Sequence, residues 1–258
     1  MEEKTGEGAV LFFIRSFHTN RLLRSGAFLL VLCIVVFCFC LGKQRVATAA
    51  SSQPLMGRII AVDAGHGGSD PGAVGVSGSE EKTINLQLAL LLQKELERYG
   101  ATVVMTRTED MCYSDVKKED LDARAALVSD HEGEILLSMQ CNADPDPRCC
   151  GAQVFYHPQS EQGEKLAKAI QKAVLHDTDQ LKERQAQSLN GPYLMKAVAV
   201  PVVIVEAGFL SHSEEETMLL DEDYQKEIAA AVCRGVVNYY EKADAPSFFS
   251  LFRTEDNN

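Results

Sequence analysis

His66 lies in the run Val62-Asp63-Ala64-Gly65-His66-Gly67-Gly68-Ser69-Asp70-Pro71-Gly72-Ala73, directly behind an apolar stretch. That stretch, residues 58–62, reads as a short buried strand, β-branched and bounded by polar residues. Glycines permit φ > 0 and close backbone approach, so the imidazole can project from a sharp turn at the strand's carboxyl end. Open α/β sheets carry their sites there. Two carboxylates join the histidine. Glu81 stands at the start of a helical pattern, and Glu206 closes the apolar run Val202-Val203-Ile204-Val205. An acidic group behind such a run is costly to desolvate unless something positive waits for it. A divalent cation would meet that need, since catalytic zinc sites use about three His, Glu or Asp ligands and leave a position for water. A free carboxylate nearby then serves as general base. Two plainer readings stand beside this one. Glu206 can pair with Arg107 or Arg124, and the helix dipole alone favours an acidic residue at position 81.

Elements that alternate between strand and helix must position these groups. Ser77-x-x-Glu80 resembles a capping box, and Ile84, Leu88, Leu91 and Leu92 recur at helical spacing up to Gly100. Residues 102–106, 135–139, 152–156 and 202–205 read as strands, and residues 121–128 as a short helix. Leu166, Ile170 and Val174 mark another helix, a polar loop covers residues 177–192, and the last helix runs over residues 224–240. This order predicts a single α/β domain with a mostly parallel twisted sheet flanked by helices.

The 258 residues carry a formal net charge of −12, with +3 in residues 1–50 and hence −15 in the rest. So acidic a body argues against nucleic acid as a partner, where clustered Lys and Arg are required. Residues 27–41 form an uninterrupted apolar run behind Arg15, Arg21 and Arg24. The run is short of the about 20 residues that span a bilayer comfortably. A signal-anchor and a signal peptide cleaved near Ala47-Thr48-Ala49 both stay open, and either one exports the domain to the outer face of the cytoplasmic membrane. The chain then divides into a basic amino-terminal region (1–26), the signal segment (27–42), a linker (43–57), a catalytic domain (58–241) and a tail (242–258). Cys112, Cys141, Cys149, Cys150 and Cys233 follow the apolar run, an odd number at irregular spacing that makes no disulfide framework. No nucleophile elbow is present, which argues against a serine hydrolase.

The segments DAGHGGSDPGA, GSEEKTINLQLALLLQ, VVMTR, LDARAAL, LLSMQCNAD, GAQVFY and VVIVEAGFLSHSEE occur in that order between about residues 58 and 240. In this the chain resembles the zinc-dependent N-acetylmuramoyl-L-alanine amidases. The resemblance implies hydrolysis of the amide between the lactyl group of N-acetylmuramic acid and the L-alanine of the stem peptide. It implies His66 and Glu81 as zinc ligands and Glu206 as the catalytic carboxylate. Asp63 and Asn142 are expected to orient His66 or the substrate. The short domain behind one apolar segment most resembles the spore-cortex members, whose action precedes formation of muramic-δ-lactam. The resemblance implies peptidoglycan strands bearing stem peptides as partner, the apolar segment implies the membrane, and an activating protein partner or the bound substrate is expected to complete the site.

One departure matters. The family's third ligand is a histidine in Ser-Ile-His-x-Asn-Ala, and here residues 138–143 read Ser-Met-Gln-Cys-Asn-Ala, with Gln140 in its place. A neutral carboxamide oxygen is a ligand that zinc seldom takes over nitrogen or sulfur, so reduced metal affinity is expected. Strand alternation aims the neighbouring Cys141 at the opposite face. A thiolate recruited from Cys141 and a metal-poor relative that binds glycan or a partner without turnover are the alternatives.

Overall fold

Ile59-Ile60-Ala61-Val62-Asp63-Ala64 forms β1 (Ile59–Ala64), the inner strand on which the histidine turn is mounted. The computed structural model describes residues 53–244. Within them β2 (Thr102–Met105), β3 (Ile135–Asn142), β4 (Gln153–Tyr156), β5 (Gln187–Ser188) and β6 (Val202–Phe209) complete one sheet, in the order β2-β1-β3-β6-β4-β5. β1 pairs in parallel with β2 and β3, β3 with β6, and β4 with β5. β4 runs antiparallel to β6, so the sheet is mixed. The short connection from β3 to β4 explains this, because a parallel crossover takes a dozen or more residues.

Helices cover both faces: α1 (Glu81–Arg98), α2 (Lys117–Asp130), α3 (Glu161–Asp177), α4 (Leu194–Ala197), α5 (Ser213–Leu220) and α6 (Glu222–Asp244). Strand alternation splits the core into two. Ile60, Val62, Leu137, Met139, Val203 and Val205 pack against α1, α3 and α6. Ala61, Leu136, Val202 and Ile204 pack against α2 and α4. On α1, Ile84, Leu88, Leu92 and Leu96 lie four residues apart and are all buried, which gives the helix one inward stripe. On α6, Gly235 lets the helix approach α3 so closely that a Cβ there would overlap the Ile170 backbone.

Several sequence expectations are corrected. Strands 135–139 and 202–205 continue to Asn142 and Phe209, so Gln140 and Glu206 lie within the ladder rather than past its end. They continue because β3 and β6 pair with one another through that region, with a register shift after Gln140. The capping box does not form. Glu80 is the N-cap of α1 without a side-chain bond. The Ser77 amide and hydroxyl instead donate to the buried Glu216 carboxylate, at 2.9 and 2.8 Å. The loop 177–192 contains β5, and α2 and α6 extend beyond the boundaries read from periodicity. The apolar run and most of the tail lie outside the described residues. Among those described, no helix is long and apolar enough to cross a membrane.

Candidate active site

His66 sits at φ 59°, in the left-handed region that non-glycine residues seldom enter, followed by Gly67 and Gly68 at positive φ. Two buried arginines grip the carbonyls of this turn. Arg107 donates to Ala64 O at 2.8 Å and Gly65 O at 2.9 Å. Arg124 donates to Ala64 O and His66 O, both at 2.7 Å. Strain of this kind persists only where the surroundings over-determine it, and the two guanidinium groups do so here. Neither arginine bonds Glu206, which sets aside the ion-pair reading of that residue.

His66 Nε2 is 3.2 Å from Glu81 Oε2. On its other side Nδ1 lies 2.9 Å from Asp70 Oδ2, a charge contact that departs from hydrogen-bond geometry. Burial works against protonation of the imidazole, but the two carboxylates outweigh it and His66 is raised above its ordinary value. Burial likewise opposes ionisation of Glu81, yet His66, the Ala73 N–H and Asn85 hold it below the usual carboxylate range. Glu81 Oε2 accepts from Ala73 N at 2.8 Å, and Oε1 accepts from Asn85 Nδ2 at 3.0 Å and Cys141 N at 3.1 Å. Asp70 is held down at about 2: burial resists, but the Gly72 N–H, His66 and Lys117 prevail.

Glu206 stands opposite Gln140 across the β3–β6 ladder. Its Oε2 is shut away from water and has no hydrogen-bond partner. Burial, and then the negative charge of Glu81, push its carboxyl up to about 8, with His66 pulling weakly the other way. The structure therefore brings His66, Glu81 and Glu206 into one electrostatic neighbourhood at the carboxyl ends of β1 and β6.

Gln140 is engaged elsewhere. Its Oε1 accepts from Asn85 Nδ2 at 3.3 Å and its Nε2 donates to Ser138 Oγ at 3.1 Å. Among the described residues no three His, Cys, Asp or Glu side chains converge as a metal site. Cys141 faces the main core, and its thiol is raised well above the ordinary value by burial and then by Glu81. The recruited-thiolate reading fails on that orientation. Asp63 does not reach the His66 ring. Its carboxylate accepts from Thr106 Oγ1 at 2.7 Å, Ser138 Oγ at 2.6 Å and Arg124 Nη1 at 3.0 Å, so it meets the histidine turn only through Arg124. Asn142 Oδ1 accepts from the adjacent Ala143 N. A cavity of about 220 Å³ opens beside His66, with Ser138, Gln140 and Tyr193 in its wall.

Sequence reasoning assigned no role to Asp70 or Asn85 and offered Arg107 and Arg124 only as ion-pair partners of Glu206, not as holders of the turn. Asn85, four residues after Glu81, was readable from helical spacing. The arginine grips were not, because they join segments more than forty residues apart.

A mixed α/β sheet thus carries a histidine behind β1, one carboxylate on β6 and another at the start of α1. The family model described as N-acetylmuramoyl-L-alanine amidase matches residues 60–238. The chain belongs to that family, and its activity is N-acetylmuramoyl-L-alanine amidase activity. It is 37% identical over 233 residues to the germination-specific N-acetylmuramoyl-L-alanine amidase of Bacillus subtilis, covering 85% of this chain and 96% of that one. Among solved structures it is similar to the CwlD amidase from Clostridioides difficile in complex with the GerS lipoprotein. That match has 33% identity and a TM-score of 0.69, over 72% of this chain and 99% of that one. An N-acetylmuramoyl-L-alanine amidase from Clostridium difficile 630 matches with 28% identity and a TM-score of 0.65, over 71% and 97%.

Proposed function

We propose that this chain is an exported, zinc-dependent amidase of spore-cortex peptidoglycan, held at the membrane by its amino-terminal segment, with Glu206 as catalytic base. The observation that carries the chemistry is the buried, unpartnered Glu206 Oε2 beside the His66–Glu81 pair. That donor set fits a divalent cation held through His66 Nε2 and Glu81 Oε2, while Gln140 leaves the third position weak. When bound, zinc supplies Lewis acidity toward the lactyl carbonyl and lowers the pKa of water toward about 7. The raised Glu206 carboxyl is drawn back toward ionisation beside a bound dication, and Glu206 then takes the proton of the attacking water and passes it to the leaving L-alanine nitrogen. Asp70 fixes the His66 ring, and Asn85 fixes the Glu81 carboxylate. Asp63 steadies the histidine turn through Arg124, and Asn142 orients the substrate.

With two protein donors, a protein partner or the bound substrate completes the site, since whatever binds only the competent state shifts the population toward it. The GerS lipoprotein bound to the C. difficile relative supports a partner of this kind. The germination-specific amidase of Bacillus subtilis among the relatives supports the spore assignment.

The test uses the full chain in detergent, with zinc content measured alongside stem-peptide release from cortex-type peptidoglycan. Glu206→Ala should abolish release and leave zinc content unchanged. Separately, a deletion strain whose cortex retained normal muramic-δ-lactam would end the spore assignment without touching the amidase chemistry.

A further inference from the structure

On an outer face of the molecule, away from the catalytic groups, lysines gather. Lys165, Lys168 and Lys172 follow one another along α3 at spacings of three and four, so they project from one side of the helix. Lys242 of α6 joins them around a groove of about 750 Å³. Tyr239 Oη donates to Gln162 Oε1 at 3.4 Å across the groove. All four lysines are exposed. Glu161 pairs with Lys165 at 2.7 Å and Glu164 with Lys168 at 2.6 Å. Lys172 and Lys242 enter no ion pair among the described residues, so four cations face two carboxylates in a chain whose formal net charge is −12.

The position of the groove decides its partner. The parallel strands start at Ile59, Thr102, Ile135 and Val202 on one edge of the sheet and carry His66, Gln140 and Glu206 toward the other. β4 runs the opposite way and pairs Tyr156 with Val203, so α3 begins at the starting edge. α6 ends there too, because Arg58 bonds Asp244 at 2.8 Å and stacks over the Tyr240 ring at 4.4 Å. The chain enters at that same edge, where Leu55 N donates to Tyr99 O at 3.0 Å. Residues 42–54 separate this point from the apolar run, a reach of at most about 45 Å at full extension. Within the groove Lys165 and Lys242 lie toward the starting edge, where the described chain begins, whereas Glu206 lies toward the other.

We propose that the lysine groove binds the phosphodiester headgroups of anionic phospholipid and turns the catalytic edge away from the bilayer. The inference rests on the membrane-tether reading of the apolar run. Each lysine close to an anionic bilayer strengthens binding about five-fold, and salt weakens it. Tyr239 supplies an amphipathic ring of the kind found at membrane–water interfaces.

Residues 53–258 suit the test, since the solved N-acetylmuramoyl-L-alanine amidase from Clostridium difficile 630 matches this domain over 97% of its own chain. The piece is co-sedimented with vesicles of phosphatidylcholine alone, with vesicles that also contain phosphatidylglycerol, and with purified peptidoglycan, at low and high salt. The expected result is salt-sensitive binding to the anionic vesicles. Lys172→Glu with Lys242→Glu should weaken it at least about 20-fold, and the corresponding Lys→Arg pair should retain it. Unchanged unfolding temperature and amidase activity show that the variants are folded. Equal binding to neutral vesicles, no loss in the glutamate pair, or binding through these lysines to peptidoglycan instead would each overturn the proposal. Alkaline extraction of membranes containing the full chain tests the tether by itself, so the two failures are distinguishable.

Discussion

Gln140 and Glu206 face each other across the β3–β6 ladder, yet their side chains have different fates. The Gln140 carboxamide is spent on Asn85 and Ser138, while the Glu206 Oε2 is left buried with no partner. The position at which the family resemblance implies an imidazole is thus part of the wall of the site, while the Glu206 carboxylate stands free across the ladder.

Replacing Gln140 by histidine should therefore restore a third donor. Loss of even a supporting group around a metal typically costs about 10–100-fold in affinity, and a direct ligand should count for at least as much. Gln140→His is expected to raise zinc stoichiometry toward one per chain, read by elemental analysis after dialysis, and to raise the amidase rate with it. A wild type that already retains a full equivalent of zinc, with no gain in the variant, would show that Gln140 is an adequate ligand.

Arg124 is buried, and its guanidinium serves Asp63, Asp120 and two turn carbonyls at once. Arg124→Met fills much of the volume but strands both carboxylates. Removal of one partner from a buried ion pair costs about 3–5 kcal/mol. Urea unfolding should show a loss of that order, together with a weakened site because the His66 carbonyl is released. A variant as stable as the wild type would mean that the carboxylates find water instead.

The parts legible in the sequence were those with local signals. The glycine turn announced His66, the apolar run before it announced β1, and a lone carboxylate behind Val-Val-Ile-Val announced Glu206. What stayed hidden depends on partners far away along the chain. Ser77 looks like a helix cap until Glu216, 139 residues on, takes its hydroxyl and amide. Arg124 reaches 58 residues back to hold the His66 carbonyl. β4 was legible as a strand, but its antiparallel direction was not, and the two-residue β5 carries too little periodicity to be read at all.

Gly235 tests the packing of α3 against α6. A Cβ at this position would meet the Cα of Ile170, which is backbone and cannot swing aside. Alanine normally favours a helix by about 1 kcal/mol over glycine, so intrinsic propensity and packing oppose each other. Overpacking costs about 1–3 kcal/mol and should prevail. Gly235→Ala is expected to lower the thermal midpoint while leaving amidase activity of the folded protein intact. A higher midpoint would show that the helices can part without loss.

Glu206 bears on stability as well as on the proposed chemistry. In the metal-free protein its carboxyl is raised to about 8 by burial and by Glu81, against an ordinary value near 4.5. Between these two values the folded state keeps a proton that the unfolded state has released. Wild-type stability should therefore fall as pH rises through this window and level off above about 8. Glu206→Gln does not titrate there. With a chelator present, the variant should match the wild type at pH near 4 and exceed it by about 2–4 kcal/mol above pH 8, a shift of a few pKa units discounted for relaxation. The same variant should lose about 10²–10⁴-fold in amidase rate, the range assigned to a positioned acid–base group. Thermal midpoints of both proteins, measured across pH with chelator, decide the matter. Parallel curves would show that Glu206 is ionised in the folded state, and a variant that loses stability together with activity would make the carboxylate structural.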